Sequence, residues 1–416
     1  MATKKKKMKF STRKLRRLIA SKLPSKSNAQ PVARKRKKRK LRKELVFGLA
    51  GALALIIAIF LIITIPKYNQ NKKLKEMGYT KEDITAIREM KLHKTLIETN
   101  LYSEYLASCI KDGTVRTDYL PYYTVQTAED PLSEDDVLLI HRLRDKEYDE
   151  EQILQLFRNL KFYEITPLLV FDRQSDVTPY VDDVKNHRDT NNPGYFVLSG
   201  DYYTHYENTR HTDETNLNML VNKTFYLSDT YTPEPLVELS VQVATKGIYL
   251  QQEAAEAFTE FCMMGNSLGL RMYAASSYRD YAKQETLYNN YVNSMGQEQA
   301  DALSARPVFS EHQTGLTVDL AAISADGISE YKDTMEFQWS SVNCYDYGFI
   351  LRYPEGKSQI TGYSYESWHY RYVGKDLAQK VAASQLTYDE YYMLYLKGWD
   401  NEVNTYPKPT ATPAAQ

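Results

Sequence analysis

Residues 45–65, LVFGLAGALALIIAIFLIITI, form a run of 21 residues without a charge, followed by Pro66. At about 1.5 Å per helical residue the run spans roughly 32 Å, close to the hydrocarbon thickness of a bilayer. It predicts a transmembrane helix closed by Pro66. A cleaved signal peptide would have a short basic leader, an apolar core of about 7–15 residues and a small-residue exit. Here 44 residues precede the core, so the reading is an uncleaved signal anchor.

The chain's formal charge of zero, 53 Lys+Arg against 53 Asp+Glu, is a cancellation. Residues 1–44 carry 20 Lys/Arg and one acid, Glu44, while the remaining 33 bases and 52 acids leave −19. Basic flanks stay cytoplasmic, so a single-pass cell-membrane protein is expected, with its N-terminus inside and everything after residue 66 outside. The runs KKKK (4–7) and RKRKKRK (34–40) suit anionic lipid headgroups. A nucleic-acid arm has the same composition, but beside a membrane span no nucleic-acid partner is needed to account for it. The three cysteines, Cys109, Cys262 and Cys344, have no CxxC spacing and indicate no disulfide framework, although one pair stays open. They read as small buried residues.

Residues 74–170 show helical spacing of apolar positions, with a faint similarity between 78–91 and 147–161 at an offset of about 69. Residues 171–215 are polar, carry NNPG at 191–194 and read as surface loops or a short hairpin. Together 66–215 is expected to be an extracytoplasmic spacer or docking region. From 216 the texture changes. Helical stretches at 250–269 and 281–295 flank a β-like run at 270–279, and further strands are expected at 316–320 and 368–374. This alternation predicts an α+β domain with a mixed or antiparallel sheet over 216–385, a helical extension over 386–406 and a disordered Pro/Ala/Thr tail over 407–416. The 35 tyrosines form no defensible stripe and read as structural.

Of seven histidines only His312 and His369 fall in that domain, and each lies near a carboxylate. In SEHQTGLTVDL, Gly315 offers a turn that folds His312 toward Asp319; strand alternation puts Leu316, Val318 and Leu320 on one face and Thr317 and Asp319 on the other. In YESWHYRYV, Glu366 precedes His369 by three, so a bulge is required if both are to face one site. Two imidazoles and a carboxylate are a common catalytic zinc set with the fourth position left for water, whose pKa the metal lowers toward about 7. A second, unligated carboxylate then serves as proton carrier. His312, Asp319 and His369 are the candidate ligands and Glu366 the candidate base. No HExxH is present.

The run from SSYRDYAKQETLYNNYV through ARPVFSEHQTGLTVDL to YGFILRYPEGKSQITGYSYESWHYRYVG resembles the VanY-type D-alanyl-D-alanine carboxypeptidases, zinc peptidases of the bacterial cell wall, over roughly residues 217–385. The resemblance implies a hedgehog/DD-peptidase-like domain. It places metal-binding roles on His312, Asp319 and His369, the general base on Glu366 and an oxyanion-stabilising cation on Arg279. Gln284 and Ser310 match polar positions near the family's substrate pocket; their rival readings are a helix-surface amide and a turn hydroxyl. Val308 and Thr317 stand where Gly and Ala are usual, and Ser367 where Pro is common; Thr317 is expected to narrow the pocket and Ser367 to loosen the bend at Glu366. The expected activity is zinc-dependent removal of the terminal D-alanine from peptidoglycan stem peptides. An L,D-carboxypeptidase acting on tetrapeptide stems and a non-catalytic, zinc-containing wall-binding module are the alternatives.

Overall fold

The computed structural model describes residues 35–189, 196–323 and 328–396. The basic run at 4–7, the side chains of that at 34–40, the NNPG turn, residues 397–406 of the expected extension and the 407–416 tail lie outside the described residues.

Helix α1 (Lys35–Met77) contains the apolar run, and it is the one helix among the described residues long and apolar enough to cross a membrane. Its most apolar window has a mean hydropathy of 3.0 and no buried residue, unlike a soluble core helix. Pro66 does not close the helix as expected but lies inside it. Proline removes one helical hydrogen bond, and here the turns beyond it are held by tertiary contacts. Leu74 is fully buried, and Arg88 donates to Asn71 Oδ1 (3.0 and 2.7 Å) and to the Lys67 carbonyl (3.2 Å).

Residues 81–170 are helical as the spacing predicts, with helices at Lys81–Glu89, Glu104–Asp112, Glu134–Asp145 and Glu150–Asn159. The segment after 171 is more ordered than loops or a hairpin. Thr178–Asn186 is a helix with Pro179 in its first turn, burying Tyr180, Val181 and Val184. Only three apolar side chains mark its inner face, too few to reveal a period. The Asp183 carboxylate on that helix fixes the chain at Ser199 and Gly200, accepting from both backbone amides at 2.9 Å.

The α+β expectation is met by a four-stranded antiparallel sheet. Its strands are β1 (Met272–Ser276), β2 (Thr317–Ala322), β3 (Phe349–Tyr353) and β4 (Glu366–Tyr372), in the order β1-β2-β4-β3. Leu316, Val318 and Leu320 enter a core with Phe258 and Phe261 of helix Gln252–Ser267, and with Phe349 and Tyr370. Asp319 is thereby left on the opposite face. Strand β3 and helix Lys375–Ser384 were not anticipated. A second buried cluster joins Leu106, Leu139 and Ile165 of the helical region to Ile350, Val373, Val381, Tyr388 and Leu394. Cys109, Cys262 and Cys344 are buried and unpaired.

Candidate metal centre

Gly315, at φ +68, ends the short turn Glu311–Thr314 and leads into β2, a conformation open to glycine without steric cost. The turn sets His312 above Asp319. His312 Nδ1 lies 2.7 Å from the Ser277 carbonyl, which can only accept, so Nδ1 carries the proton and Nε2 is left facing Asp319 Oδ2 at 3.4 Å. Pairing of β2 with β4 puts His369 directly opposite Asp319, with Nδ1 3.2 Å from Oδ1. One donor atom from each of the three residues falls within 4.8 Å of the others. Asp319 Oδ1 is buried, and the His369 ring nitrogen faces it without a well-formed hydrogen bond, an arrangement a bound cation would complete.

The required irregularity in β4 is present. Tyr370 pairs with Leu351 and Glu366 with Tyr353, so a four-residue step along β4 matches a two-residue step along β3. Glu366 is thereby brought to the His369 side, with Oε2 3.3 Å from Nδ1. Ser367 is buried at this bulge with its hydroxyl unpartnered.

The cluster's electrostatics favour one positive charge at its centre. Burial pushes the Glu366 carboxyl up to about 7, against the pull of His369. Burial also disfavours a charged His369, but Asp319, Glu311 and Glu366 outweigh it and raise the imidazole to about 9. Burial drives His312 down to about 3. Asp319, despite its burial, is held at about 2 by His312, His369 and Arg279. At neutral pH the metal-free cluster thus keeps a proton on His369, among carboxylates, where a divalent cation can take its place.

A cavity of about 330 Å³ opens on this group and is lined by all seven expected site residues: Arg279, Gln284, Ser310, His312, Asp319, Glu366 and His369. Arg279 follows β1; its backbone N–H donates to the His312 carbonyl (3.1 Å), and its guanidinium donates to Gln284 Oε1 (2.7 Å) and Ser276 Oγ (3.1 Å). Gln284 is buried rather than on the helix surface, and its amide also donates to the Ala305 carbonyl at 2.6 Å. Ser310 is buried at the start of the His312 turn. Thr317 does not narrow the cavity: it is fully buried, opposite Arg371 on β4, and lies outside the lining.

Sequence reasoning missed Glu311. Its Oε2 lies 3.4 Å from His369 Nε2, and its Oε1 accepts from Arg352 Nε (2.8 Å) and Arg371 Nη1 (3.1 Å). The available signal was an arginine in each of two otherwise apolar or aromatic strands, FILRY and HYRYV, since a buried guanidinium requires a carboxylate.

A family model described as VanY, D-alanyl-D-alanine carboxypeptidase, matches residues 247–375. The bifunctional D-Ala-D-Ala dipeptidase and D-Ala-D-Ala carboxypeptidase VanXYC of Enterococcus gallinarum is 32% identical over 181 residues, which cover 42% of this chain and 94% of that protein. This chain belongs to the VanY family. Another relative, the putative carboxypeptidase YodJ of Bacillus subtilis, is 38% identical over 184 residues, covering 42% of this chain and 67% of YodJ. Among solved structures, the LdcB LD-carboxypeptidase is 32% identical, covers 50% of this chain and 93% of its own, and superposes with a TM-score of 0.41. The VanY-family match leaves the helical region before residue 247 outside it.

Proposed function

We propose that the chain is a membrane-anchored, zinc-dependent D,D-carboxypeptidase that removes the terminal D-alanine from peptidoglycan stem peptides on the outer side of the membrane. The carrying observation is Glu366: a carboxylate that the His312–Asp319–His369 ligand set does not need, placed 3.3 Å from His369 by a strand irregularity. A site that merely stored metal would have no use for it, which speaks against a non-catalytic wall-binding module. The ligands offered, two imidazoles and one carboxylate, suit Zn²⁺, which when bound supplies a Lewis acid and acidifies its water.

The chain's own residues do the rest. Glu366 takes the proton of the attacking water and delivers it to the leaving D-alanine amine, a task suited to a carboxyl raised to about 7. Arg279 keeps donors free beyond those given to Gln284 and Ser276, and these face charge developing on the scissile carbonyl. Gln284 and Ser310 orient the substrate. The cavity of about 330 Å³ accommodates two small residues. Helix α1 anchors the protein, the basic N-terminal residues hold it through anionic headgroups, and residues 66–215 space the catalytic domain from the bilayer.

Mass spectrometry of penta- and tetrapeptide stems, incubated with and without chelator, tests this reading. Loss of one alanine from the pentapeptide, abolished by chelator, is expected. Release from the tetrapeptide alone would assign L,D-specificity, and chelator-insensitive turnover would remove the metal mechanism. Glu366→Gln should lower kcat by about 10²–10⁴ while zinc stays bound; unchanged kcat would exclude Glu366 as the base.

A further inference from the structure

We propose that Asp389, in the short helix Tyr388–Tyr391 near the end of the described residues, is a positioning residue for His369 and acts through Arg352 and Glu311. The inference rests on the metal-ligand reading of His369.

Asp389 begins a continuous buried path to the candidate metal. Arg352 directs Nη1 and Nη2 at the two Asp389 oxygens (2.5 and 3.1 Å), and its Nε at Glu311 Oε1 (2.8 Å). Glu311 turns its other oxygen to His369 Nε2, leaving the opposite ring nitrogen, Nδ1, toward Asp319 and Glu366. The side chains of Asp389, Arg352, Glu311 and Arg371 have no exposure to solvent. Charge neutrality explains why the fourth member is needed. Glu311 faces two guanidinium groups, Arg352 and Arg371, and alone would leave a buried excess of one positive charge. Asp389 supplies the balancing charge, and Asn222 Nδ2 holds it by a 2.7 Å hydrogen bond. With Arg352 engaged by Asp389, both arginines share Glu311 Oε1, and Oε2 remains available to orient His369. Without Asp389, the freed arms of Arg352 compete for Oε2 and the imidazole loses its fixed partner.

The neighbouring residue provides an internal control. Glu390 is equally buried in the same turn, but its carboxylate bonds Thr166 (2.7 Å) and Thr387 (2.8 Å) and does not touch the path. Its loss weakens packing between the C-terminal turn and the helical region without reaching His369.

Zinc affinity of the purified full chain in detergent, measured by competition with a chromophoric chelator, decides the matter, with the visible spectrum of the Co²⁺-substituted protein reporting ligand geometry. Asp389→Asn turns one acceptor facing Arg352 into a donor, and should weaken zinc binding about tenfold or more and alter the Co²⁺ spectrum. Glu390→Gln should lower the melting temperature yet bind zinc like the wild type. If the wild type itself binds no zinc, the metal reading fails. If the wild type binds and Asp389→Asn matches it in affinity and spectrum, the positioning role fails. Should Asp389→Asn not fold, Arg352→Lys, which keeps the charge but loses the fork that bridges both carboxylates, is measured in the same way, and wild-type affinity there overturns the proposal.

Discussion

Val308 is a β-branched residue held at φ +67, two residues before Ser310 and four before His312. A left-handed conformation costs an L-residue about 1–2 kcal/mol, and Val is poorly suited to it. The position is fixed from outside, because the Val308 carbonyl accepts from the Leu227 amide at 2.9 Å. Val308→Gly should therefore raise unfolding stability by about 1 kcal/mol, the strain relief exceeding the added freedom of the unfolded chain; a lower urea midpoint would show that the valine side chain packs more than it strains. His369 yields a pH prediction. Its folded value of about 9 exceeds the ordinary 6.5, so its contribution is present below 6.5 and is lost as pH rises through 9. Asp319, at about 2, is ionised throughout this range; His312, at about 3 when folded, adds only the tail of its unfolded titration near 6.5, a small opposing change, and Glu366, raised to about 7, loses stability in the same direction as His369. Chelator-treated protein should therefore lose stability between pH 7 and 8, and zinc-loaded protein should not; thermal melts across that range distinguish the two. The cluster of candidate ligands with Glu366 was legible in the sequence because each pair is local, seven residues apart in one case and three in the other. The Glu311 network was not, because its partners lie 41, 60 and, from Arg352 to Asp389, 37 residues apart.

At the level of elements, the helices were readable from their periodicity, and the structure adds a second device at their starts. Thr80 and Asp83 form a reciprocal capping box before Lys81–Glu89, and Asp149 and Gln152 form another before Glu150–Asn159. These two caps sit 69 residues apart, which accounts for the faint similarity between their segments. Ser133 with Asp136 and Thr387 with Glu390 carry the same device, so what recurs is a helix start. Asp149→Ala should cost about 1 kcal/mol, seen as a lower melting temperature with unchanged turnover; no shift would mean that packing of Ile153 and Leu156 alone sets that helix. Thr178–Asn186, too short in apolar positions to show a period, also lacks this device, since Val177 at its N-cap supplies no side-chain acceptor. The β4 irregularity was inferable only from chemistry. Alternation alone puts Glu366 and His369 on opposite faces, and the demand that both serve one site is what required a bulge.

Across the whole molecule, the apolar run and the catalytic domain are linked by helix rather than by a free tether. Helix α1 continues 12 residues past Ile65, roughly 18 Å, and ends inside the helical region, where Leu74 is fully buried. That region in turn shares its core with the C-terminal helices and with Ile350 of the sheet. A rigid mount would hold the cavity at a set height above the bilayer, whereas a flexible stalk would let it search a range of distances through the wall. The two arrangements differ in what Leu74 contributes. If the helix end is an integral part of the folded region, Leu74→Ala removes a fully enclosed side chain and should destabilise the detergent-solubilised protein by about 2–5 kcal/mol. In a free tether the same change would alter stability by no more than about 0.5 kcal/mol, as at an exposed position. Denaturant unfolding followed by far-ultraviolet circular dichroism separates these outcomes, since Leu74 packs in the same buried cluster as Leu106 and Leu139 of the helical region.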